Sequence, residues 1–451
     1  MKKASYGAIV GCSGSGKTSG ILIPKVKEVV KRGDSFLVTD PGNEILDYLG
    51  RDLVENNYNI ITINLRNRQQ SDKWNPLKLP YEAYLRGDFD RAYSLLSDIA
   101  SAIFYTISDR RDDPFWDLSS RDLFTGLAFG LFEDAKSIDE INLKSIYNME
   151  IIGNKKILGG STLLTEYYES KKDKFGYTVS GLRGTVIAPS DTKSSILSVF
   201  NQKLRHVTMS GKYMSILCDS SFCIEDCLNE KTAFILQFED EKESGAYILN
   251  VLIKQIYELL IEKNEMCPFY MFFDDFLSLN YLSYLDNLIM GAKRRNISLF
   301  FSINSISLLN KKYGEYVSNA LLENCEELFI TDLSDTELIK YIKILVECRQ
   351  VSKEVLENKI DRFNYYLINK KMGTECLIMD NVARRRPLEI SKKYPPKEIK
   401  CFDFESHVME IKRKKVEGTN RNTIDFDELI KKLDKKIEEL EKGENKNTPI
   451  T

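Results

Sequence analysis

A chain of 451 residues, 43% hydrophobic and 11% aromatic, has enough apolar surface for roughly two or three domains. Its 64 Lys and Arg face 67 Asp and Glu, a net charge of −3, so no global basic field holds nucleic acid and any such contact must come from local clusters. Nine cysteines without a signal peptide point to a reducing compartment, two histidines leave little room for histidine acid–base chemistry, and no apolar run approaches the roughly 18 to 20 residues that span a bilayer.

The first element is an apolar strand, Tyr6 to Val10, which feeds directly into Gly11-Cys12-Ser13-Gly14-Ser15-Gly16-Lys17-Thr18. That is G-x-x-x-x-G-K-[ST] complete. The glycines let backbone N–H groups turn inward around β- and γ-phosphates, and the helix expected from Ser19 to Arg32 adds its positive N-terminal end. The pattern predicts an ATP site formed by Gly11, Cys12, Ser13, Gly14, Ser15, Gly16, Lys17, Thr18 and Ser19, with Lys17 reaching the phosphates and Thr18 ligating Mg²⁺.

A second strand, Asp34 to Asp40, ends in the turn Pro41-Gly42-Asn43, then a helix from Glu44 to Glu55 leads to a third strand, Asn59 to Leu65. Strand and helix in alternation predict a parallel α/β sheet whose ligands sit at the carboxyl ends of its strands, where the P-loop and Asp40 both fall. From Tyr81 to Arg205 apolar residues recur at helical spacing, as in Ala92, Leu95, Leu96, Ile99 and Ile103, and the α/β pattern resumes at Lys231 to Phe238. The expected organisation is a discontinuous nucleotide domain (1–80 and 206–400), an inserted all-α domain (81–205) and a tail (401–451). Cys218, Cys223 and Cys227 cluster without a fourth metal ligand and read as small hydrophobes.

Further on, Phe269 to Phe273 is an apolar strand ending in Asp274 and Asp275, the signature of an acid that holds Mg²⁺ through water, a role that falls to Asp274. A helix from Leu282 to Ala292 precedes the basic turn Lys293-Arg294-Arg295-Asn296 and the strand Ile297 to Asn304. Glu327 to Thr331 reads as strand, Asp335 to Glu347 as helix and Glu375 to Met379 as strand. Near the end, Phe426, Ile430, Leu433, Ile437 and Leu440 form a short apolar seam of a single amphipathic helix.

Laid out in order, these residues resemble the type IV coupling proteins, the TraG/TraD-like DNA-transfer ATPases of conjugation. The resemblance rests on the P-loop, Ile23-Pro24, Thr39-Asp40-Pro41-Gly42-Asn43-Glu44, Trp74-Asn75-Pro76-Leu77, Asp113-Pro114-Phe115-Trp116, Asp274-Asp275-Phe276 and Tyr313-Gly314, in family order from Tyr6 to Leu345. It implies a RecA-like P-loop NTPase domain with a mainly parallel sheet, ATP and Mg²⁺ as cofactors, and a homo-hexamer. Such a ring would pass relaxase-bound single-stranded DNA from a relaxosome to a type IV secretion channel. The resemblance gives Asp275 the water-orienting role usually held by Glu, puts Asn304 where the family strand ends in Gln, and places a finger for the neighbouring subunit at Lys293, Arg294 or Arg295. It also implies work at the cytoplasmic face of the plasma membrane, with a membrane-anchored partner in place of the family's usual N-terminal anchor. The shortened Asp275 and Asn304 leave open an alternative, a nucleotide-binding adaptor with weak or no ATPase activity.

Overall fold

A computed structural model describes residues 4–104, 114–157, 160–172, 176–238, 247–263, 267–348, 351–357, 360, 364–369, 373–379, 394 and 397–421. Asp113 and the seam from Phe426 to Leu440 lie outside the described residues.

The strands are β1 (Tyr6–Val10), β2 (Ser35–Thr39), β3 (Asn59–Asn64), β4 (Thr232–Gln237), β5 (Phe269–Phe273), β6 (Ile297–Ile303), β7 (Glu327–Ile330), β8 (Asn364–Asn369) and β9 (Gly373–Ile378). They form one nine-stranded sheet in the order β3-β4-β2-β5-β6-β1-β7-β8-β9. From β3 to β7 every pairing is parallel, while β8 pairs antiparallel with β7 and with β9. Continuous apolar runs form the central strands because both faces are covered. In β5, Tyr270 and Phe272 join the core shared with Ile9, Phe36, Val38 and Phe300, whereas Phe269, Met271 and Phe273 pack into the larger core on the opposite face.

The smaller core is closed by α1 (Ile23–Arg32) and α2 (Ile45–Glu55), whose Val26, Val30, Leu49 and Leu53 are buried there. Between β3 and β4 every described α or β element is a helix: α3 (Lys78–Leu85), α4 (Phe89–Phe104), α5 (Phe115–Asp134), α6 (Leu143–Gly153), α7 (Leu163–Lys171), α8 (Tyr177–Val186), α9 (Ser190–Thr208), α10 (Gly211–Leu217) and α11 (Ile224–Asn229). The helical run thus continues past Arg205. Helices α5 and α8 touch backbone to backbone at Gly126 and Gly181, where a Cβ on Gly126 would stand 2.7 Å from the Leu182 nitrogen. Only glycine allows that approach.

After β4 come α12 (Tyr247–Glu262), α13 (Leu285–Gly291), α14 (Ile306–Tyr313), α15 (Glu315–Asn324), α16 (Thr336–Glu347), α17 (Glu354–Glu357) and α18 (Phe404–Arg421). Helix α18 and the unpredicted β8 are additions to the sequence reading. α18 returns to the helical insertion: Phe404 is buried with its ring centroid 5.1 Å from that of Tyr167, and His407 Nε2 lies 3.3 Å from Asp134 Oδ2. No described helix is long and apolar enough to cross a membrane.

Candidate nucleotide site

Strand register brings the predicted residues to one edge of the sheet. Thr39 on β2 pairs with Phe273 on β5, so Asp40 and Asp274 lie beside each other at adjacent strand ends. Val10 on β1 pairs with Ile303 on β6 and with Ile330 on β7, so Gly11 emerges between Asn304 and Thr331.

The loop from Gly11 is shaped by backbone that other residues resist. Gly14 and Gly16 take φ of 77° and 84°, in the left-handed region. A Cβ on Gly11 would come within 1.9 Å of Thr331 Oγ1, which hydrogen bonds with Ser15 Oγ at 2.7 Å. A π-helical turn, Thr18–Leu22, then opens into α1. Lys17 is 6% exposed and donates Nζ to the carbonyls of Gly11 (2.7 Å) and Cys12 (2.8 Å). It thus bridges its own loop. Burial lowers its pKa, and the charges of Asp275 and Asp274 oppose that shift.

Thr18 donates its hydroxyl to both carboxylate oxygens of Asp274, at 3.0 and 2.9 Å. Asp274 is 5% exposed, and burial pushes its pKa up to about 7; the Thr18 hydrogen bond opposes the shift, while Asp40 and Asp275 add to it by like charge. Thr39 Oγ1 fixes the strand end by donating to the Asp274 carbonyl at 3.0 Å. Asp275 sits at φ 43°, ψ 56°, left-handed, and accepts from Asn304 Nδ2 at 2.5 Å. The sharp turn between two adjacent acids aims them differently: Asp274 toward Thr18, Asp275 toward Asn304.

Asp40 is fully buried and accepts from the backbone of Glu44 (2.8 Å) and Ile45 (3.2 Å) and from Gln237 Nε2 (3.0 Å). Gln237 in turn accepts from Asn64 Nδ2 at 2.7 Å. Burial pushes Asp40 up to about 6 against these hydrogen bonds. Chain position puts Asp40 at a strand end, while its partners come from other strands; the signal for them is that Asn64 and Gln237 are polar residues closing β3 and β4 directly after an apolar residue.

The basic turn is elsewhere. Lys293, Arg294 and Arg295 precede β6, at the end of the sheet opposite the loop. Lys293 Nζ donates to the Asn324 carbonyl (2.8 Å), lies 3.6 Å from Glu326 Oε1 and stands 4.4 Å from the Tyr6 ring centroid. Arg294 and Arg295 are exposed. None of the three meets the P-loop of its own chain.

The donor set fits Mg²⁺ and a nucleoside triphosphate: a glycine-shaped loop with its cation, and a hydroxyl and carboxylate that already meet at its mouth. Thr18 and Asp274 would hold the metal, and the loop from Gly11 to Thr18 would hold the phosphates. A parallel sheet carrying this loop, with an acid ending a nearby strand, defines a RecA-like P-loop NTPase fold. Residues 2–359 match the family model of type IV secretory system conjugative DNA transfer, and the chain belongs to that family. Its fold is similar to the bacterial conjugative coupling protein TrwB lacking its first 70 residues, crystallised with sulphate (TM-score 0.62, 15% identity, covering 85% of this chain and 87% of that one). TrwB in complex with a non-hydrolysable ATP analogue is similar to the same degree (0.63, 14%, 87% and 89%). VirB4 of Thermoanaerobacter pseudethanolicus is more distant (0.51, 12%, 83% and 89%). No curated protein sequence matches the chain.

Proposed function

We propose that this conjugative DNA-transfer protein is an ATPase, and that ATP hydrolysis drives the passage of relaxase-bound single-stranded DNA into a type IV secretion channel. The observation that carries the reading is the Thr18–Asp274 pair, which joins the P-loop to the strand acid and so unites the two halves of a Mg·ATP site. TrwB has been crystallised with ADP and Mg²⁺, with an ATP analogue and with a GTP analogue. We extend nucleotide and Mg²⁺ binding to this chain.

In the proposed site, bound Mg·ATP supplies the phosphoanhydride that is cleaved and the metal that neutralises its charge. Lys17 would leave the Gly11 and Cys12 carbonyls for the phosphates, Thr18 and Asp274 would hold the metal, and Asp275, steadied by Asn304, would orient the attacking water. The cation completing the site comes from a neighbouring subunit of a hexamer, drawn from Lys293, Arg294 or Arg295. The nucleotide domain spans 1–80 and 206–400 around the all-α insertion 81–205, and within the tail 401–451 the seam of Phe426, Ile430, Leu433, Ile437 and Leu440 meets a membrane-anchored partner at the cytoplasmic face of the channel.

The test is steady-state ATP turnover with and without single-stranded DNA. DNA-stimulated turnover supports the motor. A second reading, an adaptor that binds nucleotide with little turnover, draws on the short hydrogen bond from Asn304, which engages the carboxylate meant to orient water. Nucleotide binding with no turnover in either condition would select it.

A further inference from the structure

The proposed site accounts for the phosphates and the metal and leaves the base of the nucleotide without a contact. One apolar side chain at its rim has no other assigned role. Met379, half-buried, follows β9 directly. Because β8 runs antiparallel to β7 and β9 antiparallel to β8, β9 points the same way as β1 and delivers Met379 to the P-loop end of the sheet. There its thioether rests on the bare backbone of Gly16 and Gly20: a Cβ on either glycine would stand 2.7 or 2.9 Å from Met379 Sδ. These two glycines are one turn apart, joined by the Gly20 N–H to Gly16 carbonyl bond of 2.8 Å.

A nucleotide whose phosphates fill the loop must leave it by an open side. The Ser15–Thr331 pair closes the side toward β7, and the Thr18–Asp274 pair closes the side toward β5. What these two pairs leave is the first helical turn, where Ser19 is half-buried and Gly20 is buried beneath Met379, and along such a turn a phosphate chain at a helix N-terminus naturally runs out. The face of this turn formed by Gly16 and Gly20 carries no side chain of its own, and the side chain that covers it is Met379.

We propose that Met379 is the shelf against which the base of the bound nucleotide rests, a proposal that depends on the nucleotide reading of the P-loop. A thioether is polarisable and unbranched, suits the flat face of a purine, and has no donor with which to tell adenine from guanine. The shelf adds affinity for any purine nucleotide without selecting one.

The experiment compares Mg·ATP, Mg·GTP and inorganic tripolyphosphate, which lacks a base, as competitors for a fluorescent ATP analogue on the full chain and on its Met379→Ala and Met379→Leu variants. The shelf predicts that Met379→Ala weakens ATP and GTP alike by about 2- to 10-fold, leaves tripolyphosphate unchanged, and that Met379→Leu recovers most of the loss. Unchanged ATP affinity in Met379→Ala overturns the proposal, and so does an equal loss for tripolyphosphate, which would make Met379 a prop for the loop. If the wild-type chain binds tripolyphosphate as tightly as ATP, the shelf falls while the P-loop assignment stands; if it binds neither, both fall.

Discussion

Thr18 and Asp274 lie 256 residues apart in sequence, yet the hydroxyl of one reaches both carboxylate oxygens of the other at 3.0 and 2.9 Å. Nothing local makes that contact. It follows from strand order: β5 and β1 both flank β6 in parallel, so the loop leaving one and the acid ending the other rise from the same edge. Asp274 is buried while Thr18 is half-buried, and a buried carboxylate beside two others favours its proton.

That proton makes the free protein pH-sensitive. The Asp274 pKa is raised from 3.8 to about 7 and that of Asp40 from 3.8 to about 6. The folded state therefore binds protons that the unfolded chain has lost, so the stability these groups contribute is full below about pH 4 and disappears as pH rises through 6 to 7. Asp274→Asn removes the buried charge and should raise the melting temperature of nucleotide-free protein at pH 8 by about 2 to 4 °C, with little change at pH 5. Affinity for Mg·ATP in the wild type should increase from pH 6 to pH 8, because the metal displaces the proton. Thermal melts of both proteins across that range, with ATP titrations beside them, test the sign; an Asp274→Asn variant less stable than wild type at pH 8 contradicts it.

Lys17 offers a cleaner separation of binding from folding. Its two bonds to loop carbonyls are replaceable by water in an alanine variant, and Ser15 still ties the loop to Thr331. Lys17→Ala should weaken ATP binding by about 10- to 100-fold, the worth of charge-assisted contacts, while the far-ultraviolet circular dichroism stays that of the wild type. Retained affinity and turnover would remove the P-loop from the mechanism.

How much of this was readable beforehand depends on range. The loop, its helix and the two acids are local patterns, and the structure places them where chain order put them. The bonds of Asp40 to Gln237 and of Asn304 to Asp275 are set by which strands become neighbours, information that no window along the chain contains. Strand β8 escapes a sequence reading because its apolar run is only four residues, Tyr365 to Ile368, in a region of mixed pattern, and its place is set by pairing with β7 and β9. The buried Lys17 was equally invisible: the motif fixes the residue, while its two carbonyl partners depend on the path of the folded loop.

Asp275 occupies a left-handed turn at φ 43°, a conformation that Asn accepts more readily than most side chains. Asp275→Asn should therefore fold like the wild type, bind ATP with nearly unchanged affinity, and lose about 10²- to 10⁴-fold in turnover if the carboxylate orients water. Asn304→Ala frees the same carboxylate and should lower turnover without changing ATP affinity. Steady-state kinetics paired with equilibrium binding separate the two effects. Unaltered turnover in Asp275→Asn would assign this acid to the turn alone.

The three basic residues before β6 divide by environment. Lys293 is committed to Tyr6, the Asn324 carbonyl and Glu326, so Lys293→Ala should destabilise the chain by about 1 to 2 kcal/mol, visible as a lower melting temperature even in a monomer. Arg294 and Arg295 are exposed, and alanine at either should leave stability within about 0.5 kcal/mol of wild type. A finger acts from a neighbour, so turnover of wild type should rise faster than linearly with protein concentration as rings form. Mixing Lys17→Ala with the finger variant should then restore activity, because each supplies the half-site the other lacks. If Arg294→Ala and Arg295→Ala are both fully active, and neither Lys293→Ala nor any other mixture complements, the finger is not in this turn.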